Sequence, residues 1–421
     1  KHQIGKLERK KKPVTLPRSI TFGVALEFCT ERSRKALKKR LKAHGMQCVL
    51  GGKTTDANGA WKLTQDRSIS CRETKGNRFE CKRPIELVSP ILKGEGGIES
   101  LKLVLGVVNS SKTKVNKTMA IHVHIGVANF SLEEKARLCQ QFVMLEEAFD
   151  LVVPPSRRAN KNHHAKSNSH NFILQQLSRR RKLEALGAVH SFDGLCRLMN
   201  PPGDDRYFKL NLLAFHKHET FEFRQHAGTT DFIKTSYWVR LLVQFWCRAK
   251  ALPPDASIVE EKAPREKLVH LLKHVVRDGA LTAHFLAGAA ALDTLSAKVD
   301  RVNRLFSTKS KVEALKEMCE NLSPYTSSAG IPSPRGELNS ITKCREYLGT
   351  IYINIFDYVD ASYTCTNAKL IFKSKKALLA RCRQIGFFPT IRAKSSTLKF
   401  LLNHVVCSST RKRIISSSCH F

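Results

Sequence analysis

The chain has 421 residues, of which 42% are apolar, 8% aromatic and 26% charged, a balance that suits two or three packed domains and excludes a wholly disordered polymer. No stretch approaches the ~18 consecutive apolar residues of a membrane-spanning helix, which excludes a transmembrane protein. Lys and Arg number 72 against 36 Asp and Glu, so the formal charge of +36 points to polyanionic partners: nucleic acid, an anionic membrane surface or a nucleoside triphosphate.

In chain order, residues 1–18 are basic, carry Pro13 and Pro17, and read as an N-terminal arm. Because the first residue is Lys rather than Met, the natural N-terminus is expected to lie further upstream. The run from Ile20 to Phe28 has strand character, and a basic helix is predicted from Glu31 to His44 with Ala36, Leu37 and Leu41 on one face. GGKTTDANG at 51–59 reads as a loop, followed by short strands at Ala60–Leu63, Ile85–Leu92 and Met119–Val127. Ser131 and Glu134 form a capping box for a helix that Pro154-Pro155 stops. A second helix is predicted near Phe172–Leu186. Strands at Arg206–His216 and Thr220–His226 are close enough to pair as a hairpin across residues 217–219, and Ser236–Ala251 reads as helix. Beyond Pro253-Pro254 the pattern turns helical until a Pro/Ser/Gly-rich linker at 323–336.

These readings give a body over 19–253, a helical extension over 254–322, the linker, and a basic segment over 337–421. After Asp360 there are twelve Lys or Arg and no acid, ending in Arg411-Lys412-Arg413, which suits either a solvated tail or an arm that binds nucleic acid. The 13 Cys contain no C-x-x-C pair, which predicts free thiols, a reducing compartment and a cytoplasmic location, with Cys29 a buried structural thiol.

Alternation along the strands sorts the ionisable side chains. In IHVHIG, His122 and His124 share a face opposite Ile121, Val123 and Ile125; in TFEFRQH, Glu222, Arg224 and His226 oppose Phe221 and Phe223. Glu27 opposes Leu26 and Phe28, and Glu86 opposes Ile85 and Leu87. Each residue alone reads equally as the solvent side of an amphipathic strand. Four strands of one kind in one sheet would gather Glu27, Glu86, His122, His124, Glu222 and Arg224 on a common face, a set suited to a divalent cation and a phosphate or carboxylate.

GVALEF (23–28), WKLTQDRSI (61–69), IELVSPIL (85–92), HVHIG (122–126), PPSRRAN (154–160) and YFKLNL with TFEFRQHAGTTD (207–231) occur in the order found in the amidoligase family. On this resemblance, which covers roughly residues 20–250, the chain is similar to the glutamine synthetases and carboxylate–amine ligases. The resemblance implies an α+β fold, with an antiparallel glutamine-synthetase-like sheet flanked by helices and a helical C-terminal appendage. It implies an enzyme that uses ATP and Mg2+ to join a carboxylate to an amine through an acyl phosphate, the substrates being small molecules, peptides or protein side chains. Glu27, Glu86, His122 and Glu222 match metal-holding positions. Arg224, Glu222 and His124 match catalytic ones. Arg157, Arg158 and Asn160 of the S-R-R-x-N motif, with Lys209 and Asn211, would grip ATP phosphates or an acidic substrate; an ordinary basic loop fits the first three as well. Asp66 and Ser68 either orient the site or form a turn, and Gly94, Gly96 and Gly97 make either an anion nest or a plain turn.

The family's first strand reads G-x-E-x-E, and here Ala25 stands at the first of its two glutamates. That departure keeps a second expectation open: an impaired relative that binds nucleotide or an acidic partner. A basic nucleic-acid-binding protein is a third, although no aromatic residues are interleaved with the Lys and Arg in a recognisable motif. A hydrolase using His122 and His124 is a fourth, short of a third metal-ligand motif.

Overall fold

The computed structural model describes residues 13–51, 59–66, 68–71, 83–203, 206–255, 262–290, 310–328, 338–353, 371–372, 374 and 377–378. Phe22, Val24, Leu26 and Phe28 alternate with smaller or polar residues along β1 (Thr21–Thr30), and all four bury completely or nearly so. That strand lies mid-sheet. β2 (Cys48–Leu50), β3 (Trp61–Thr64), β4 (Arg83–Val88), β7 (Ala120–Gly126), β8 (Leu210–Asn211) and β9 (Thr220–Ala227) join it in the order β2-β3-β4-β1-β7-β9-β8, while β5 (Leu92–Lys93) and β6 (Thr113–Lys114) pair with its ends. All pairings are antiparallel except that of β2 with β3. The fold is mixed α+β with a mostly antiparallel nine-stranded sheet.

Helices cover one face. α1 (Arg34–Ala43) starts at Ser33, whose hydroxyl accepts from Ala36 N, and buries Leu37 and Leu41. Gly94 and Gly97 fall in the first turn of α2 (Gly94–Asn109). Gly97 is needed for packing, since a Cβ there would stand 2.8 Å from Phe22 and 2.9 Å from Leu92. In α3 (Leu132–Leu151) both halves of the Ser131/Glu134 capping box form, and Phe142, Leu145 and Phe149 pack into the core. α4 (Arg179–Gly187), α5 (Phe192–Met199) and α7 (Phe232–Ala249) complete that layer, with Trp238, Phe245 and Trp246 buried.

Three sequence expectations change. The strand predicted over Arg206–His216 is regular over Leu210–Asn211, with one further parallel bridge from Phe208 to Lys166, and the connection to β9 is a short helix, α6 (Phe215–His218). The reason lies in two asparagines: Asn168 Oδ1 accepts from Leu210 N, Asn200 Oδ1 accepts from Leu212 N, and both side-chain amides donate to Leu210 O. Side chains thus close this strand's backbone where a further strand would otherwise pair. Second, the stretch expected as a separate extension from 254 packs with the sheet domain: α8 (Pro264–His270) and a π-helical turn over 271–276 bury Leu268, Leu271, Leu272 and Val276 in the same core. Among the described residues, 13–71 with 83–289 form one unit, and 310–378 belong to the other. Residues 13–18 also belong to the first unit, where Val14 N donates to Asp278 and Leu16 N to Glu95. Third, Cys29 is joined to Cys71, their Cα atoms 5.9 Å apart, so the expectation of free thiols throughout fails. The two lie 42 residues apart with no local motif; Cys29 is in β1, and the loop before Cys71 is held by hydrogen bonds of Ser70 with Asn116 and Thr118.

In the second unit, α9 (Lys311–Ser328) and α10 (Ile341–Gly349) bury Leu315, Met318, Cys344 and Leu348 beside a two-stranded sheet of Tyr352–Ile353 and Ile371–Phe372. α9 runs through the first six residues of the expected linker, and the remainder of that linker lies outside the described residues. So does the basic tail with Arg411–Arg413.

Candidate active site

Residues that pair directly across antiparallel strands project to the same face, so the register assembles a site from distant stretches. Glu27 on β1 is opposite Glu86 on β4, and Ala25 is opposite His122 on β7. His124 is opposite Glu222 on β9, and Glu222 in turn is opposite Asn211 on β8. One ligand atom from each of Glu27, Glu86 and His122 falls within 4.8 Å of the others. Of the six residues expected on one face, the sheet brings all six together.

The carboxylates occupy different electrostatic surroundings. Glu27 is buried, and its Oε2 accepts from Ala120 N at 2.7 Å. Burial, reinforced by the nearby Asp66 and Glu86 carboxylates, pushes its pKa up to about 7. Burial also raises Glu86, against the Thr64 hydroxyl that donates to its Oε2 at 3.1 Å. Glu222 is just as buried, yet its pKa is held at about 2: burial would raise it, but His122, the Arg224 guanidinium, His124 and the Asn211 amide outweigh burial. Arg224 Nη1 donates to Glu222 Oε1 at 2.6 Å, and Asn211 Nδ2 to Oε2 at 2.7 Å.

His122 lies between the two environments. Its Nδ1 is 3.2 Å from Glu222 Oε1 and its Nε2 is 3.6 Å from Glu27 Oε1. Burial, aided by the Arg224 charge, lowers its pKa to about 3, so the ring is neutral at physiological pH. With the single proton on Nδ1 facing the ionised Glu222, the Nε2 lone pair faces Glu27 beyond hydrogen-bond reach. A lone pair and two carboxylates turned toward one another, with no Lys or Arg in contact among the described residues, suit a divalent ion; the carboxylate behind the imidazole is a common support for a metal-binding histidine. His124 has Nδ1 2.9 Å from Thr220 Oγ1 and Nε2 3.8 Å from Glu222 Oε1, and burial lowers its pKa.

Other expected binding residues go elsewhere. Lys209 is fully buried and points to α3, where its ammonium lies 2.7 Å from both Glu146 and Asp150. It sits just before β8 with its backbone hydrogen-bonded to Lys166 and Arg224, yet its side chain is taken by α3 and does not share Asn211's surroundings. Asn211 serves the site by orienting Glu222. Arg158 donates to Val153 O, and Asn160 Oδ1 accepts from Ser167 N, so both fix the backbone after α3. Arg157 is buried, donates to Met119 O and Lys117 O, and its Nε has no partner among the described residues. Burial lowers its pKa to about 10, while Glu27 pulls the other way. Of the S-R-R-x-N residues, it has the guanidinium electrostatically nearest the cluster.

His226 does not share the face of Glu222 and Arg224. A bulge sets Arg224 and Gln225 against His122 alone, and beyond it His226 packs on the Trp238 ring of α7 at 5.1 Å. Asp66 accepts from Ser68 N at 2.7 Å, which is the turn the sequence allowed, and its charge contributes to raising both Glu27 and Glu86. Sequence reading missed Thr64, which supports Glu86, and His164, whose carbonyl accepts from Arg224 Nε at 3.4 Å. It also missed Tyr207, whose ring lies 6.0 Å from the Arg224 guanidinium. Thr64 alternates toward Glu86 in β3 and was open to the same period-two argument.

A family model described as "putative amidoligase enzyme" matches residues 18–246, just over half of the chain. The chain belongs to the amidoligase family. No curated protein sequence matches it. The matched span holds every residue of the cluster and ends within α7, so the amidoligase region and the sheet-bearing unit largely coincide. No described helix is long and apolar enough to cross a membrane.

Proposed function

We propose that this amidoligase-family chain is an ATP-dependent ligase that forms an amide or isopeptide bond through an acyl phosphate. The observation that carries this reading is the convergence of Glu27, Glu86 and His122 within 4.8 Å beside the Glu222–Arg224 pair. Glu27, Glu86 and His122 would hold Mg2+ or a similar divalent ion, which when bound offsets triphosphate charge. Glu222 holds His122 in the tautomer that presents Nε2. Arg224, anchored by Glu222 and the His164 carbonyl, places a fixed positive charge beside the phosphoryl group, and Arg157 adds a second. The carboxylate substrate takes the γ-phosphoryl group and ADP leaves. The amine nitrogen then attacks the acyl carbon; the C–N bond forms as the C–O bond to phosphate breaks, and phosphate departs with the electron pair. The proton lost by nitrogen passes to His124 Nε2, which is free when Nδ1 donates to Thr220.

The test is phosphate release from ATP with a panel of acids and amines, with and without divalent cation. Glu86→Gln and Arg224→Ala should each lower the rate at least a hundredfold. Rates unchanged in both variants would refute this site.

A second reading, an impaired relative, is favoured by one observation: Ala25 occupies the position opposite His122 and Val88, where the family's other glutamate would adjoin Glu27. Ala25→Glu separates the two. A gain of tenfold or more in Mn2+ affinity together with the appearance of activity would mean that the natural site is crippled; a gain of neither supports a site complete as it stands.

A further inference from the structure

Along β1 the side chains on the site face shrink in order: Glu27, then Ala25, then Gly23. A sheet face stripped of side chains next to a ring of large neighbours leaves a hollow, and here a cavity of about 380 Å³ opens over Gly23. Its walls are Ile20, Pro90, Ile91, Phe130 and the rings of His124 and His218, which meet edge to face with centroids 5.6 Å apart. His124 belongs both to this cavity and to the cluster, so the cavity opens from the candidate active site itself.

The charge of the cavity is one-sided. Among the described residues that line it, none is Lys or Arg and the one charged residue is Glu219. At the other end of the site stand Arg157 and Arg224. A ligase of the kind proposed above has three ligands, of which the triphosphate and the acid are anions and match the arginine end. The third is the amine. A mostly apolar chamber whose described lining carries one carboxylate and no Lys or Arg matches an amine better than either anion. A water molecule occupies only ~30 Å³, so the chamber far exceeds what ammonia needs.

We propose that this cavity seats the amine substrate, and that the amine carries an apolar or aromatic side chain. The inference rests on the ligase reading for the word substrate, but the binding it predicts needs no turnover. Gly23 is the lever: a Cβ there would meet nothing closer than Ser89 Oγ at 3.6 Å and His124 Cβ at 3.8 Å, so a side chain enters the cavity without disturbing the strand. Calorimetric titration of the full chain with 2-phenylethylamine, phenylacetate and adenosine tests it. The amine should bind in the millimolar range or tighter and phenylacetate at least tenfold more weakly, while Gly23→Leu should weaken the amine at least tenfold. Ala128→Trp, on the exposed rim, provides a second block if the first variant melts early. Phenylacetate binding as tightly as the amine, or adenosine displacing the amine, would overturn the proposal. Failure of the ligase reading is separable. Absence of phosphate release from a protein that still binds the amine counts against the ligase alone; phosphate release whose amine preference is untouched by both blocking variants counts against the cavity alone.

Discussion

Two carboxylate sites lie on the same sheet face, one on each side of His122, and they solve the cost of burial differently. Glu222 has its cation built in: Arg224 and the Asn211 amide take both its oxygens, and its pKa is held at about 2. Among the described residues, Glu27 and Glu86 have backbone and hydroxyl donors but no Lys or Arg in contact, and burial drives both pKa values upward. Buried charge is tolerated when paired and otherwise avoided by protonation, so the second site stays chemically unfinished until positive charge arrives. The first is scaffold for that event. Its ionised carboxylate sets the His122 proton on Nδ1 and turns the Nε2 lone pair toward the unfinished side.

Removing the cation from the finished side should have the largest effect. Arg224→Met leaves Glu222 buried against neutral rings, at an expected cost of 3–5 kcal/mol in urea unfolding at pH 7, typical for a broken buried pair. Because the natural Glu222 pKa is depressed, its stabilisation is full above about pH 4.5 and is lost as pH falls toward 2. The gap between variant and natural chain should therefore narrow over that interval. A gap independent of pH would mean that Arg224 acts through packing alone.

The disulfide comes next. Cys29 follows Glu27 by two residues, and Cys71 follows the Asp66–Ser68 turn in the chain, so the bond tethers the segment that carries this acid. Breaking a link between residues 42 apart by Cys71→Ser should cost up to about 4 kcal/mol on the chain-entropy account, read as a lower Tm. With Asp66 released, Glu27 should titrate lower. Natural stability under reducing conditions would remove both expectations.

The sharpest contrast is in pH dependence. An acid whose folded pKa is raised binds its proton more tightly in the native state, so stability falls as pH rises from about 4.5 to 7. For Glu27 that loss is roughly 3 kcal/mol with divalent ions chelated. Glu27→Gln should erase this share of the slope, and Mn2+ should flatten the natural curve. Equal slopes in variant and natural chain would show that the two sides do not differ as described.

Much of this face was legible in the sequence because strand alternation is a local rule. Glu27, Glu86, His122, His124, Glu222 and Arg224 each follow from period two, and the order of the motifs tied their strands to one family. The failures occurred where geometry is not local. The bulge that turns His226 toward Trp238 adds one residue against a partner strand about 100 residues away in sequence, and nothing in TFEFRQH announces it. Lys209 lies one residue before a two-residue strand, and its partners Glu146 and Asp150 come from α3. The Cys29–Cys71 bond joins β1 to a loop held by Asn116 and Thr118, and the stretch over 264–289 looked separate because its apolar period says nothing about which core receives it.

Thr64 gives the smallest and most selective probe of the unfinished side. Its hydroxyl donates to Glu86 Oε2 at 3.1 Å and lies 3.2 Å from Glu86 O, so Thr64→Val keeps the shape and removes the donor. A single side-chain hydrogen bond of this kind contributes about 1 kcal/mol, which is the expected loss at pH 7. The larger consequence is electrostatic: without that donor Glu86 should rise further, and metal binding should require a higher pH. A shift of the half-saturation pH for Mn2+ upward by a few tenths of a unit, with no change when the same substitution is made at Thr220 beside His124, would place the effect on Glu86. A shift common to both variants would instead mark a general loosening of the sheet and erase the distinction between its two sides.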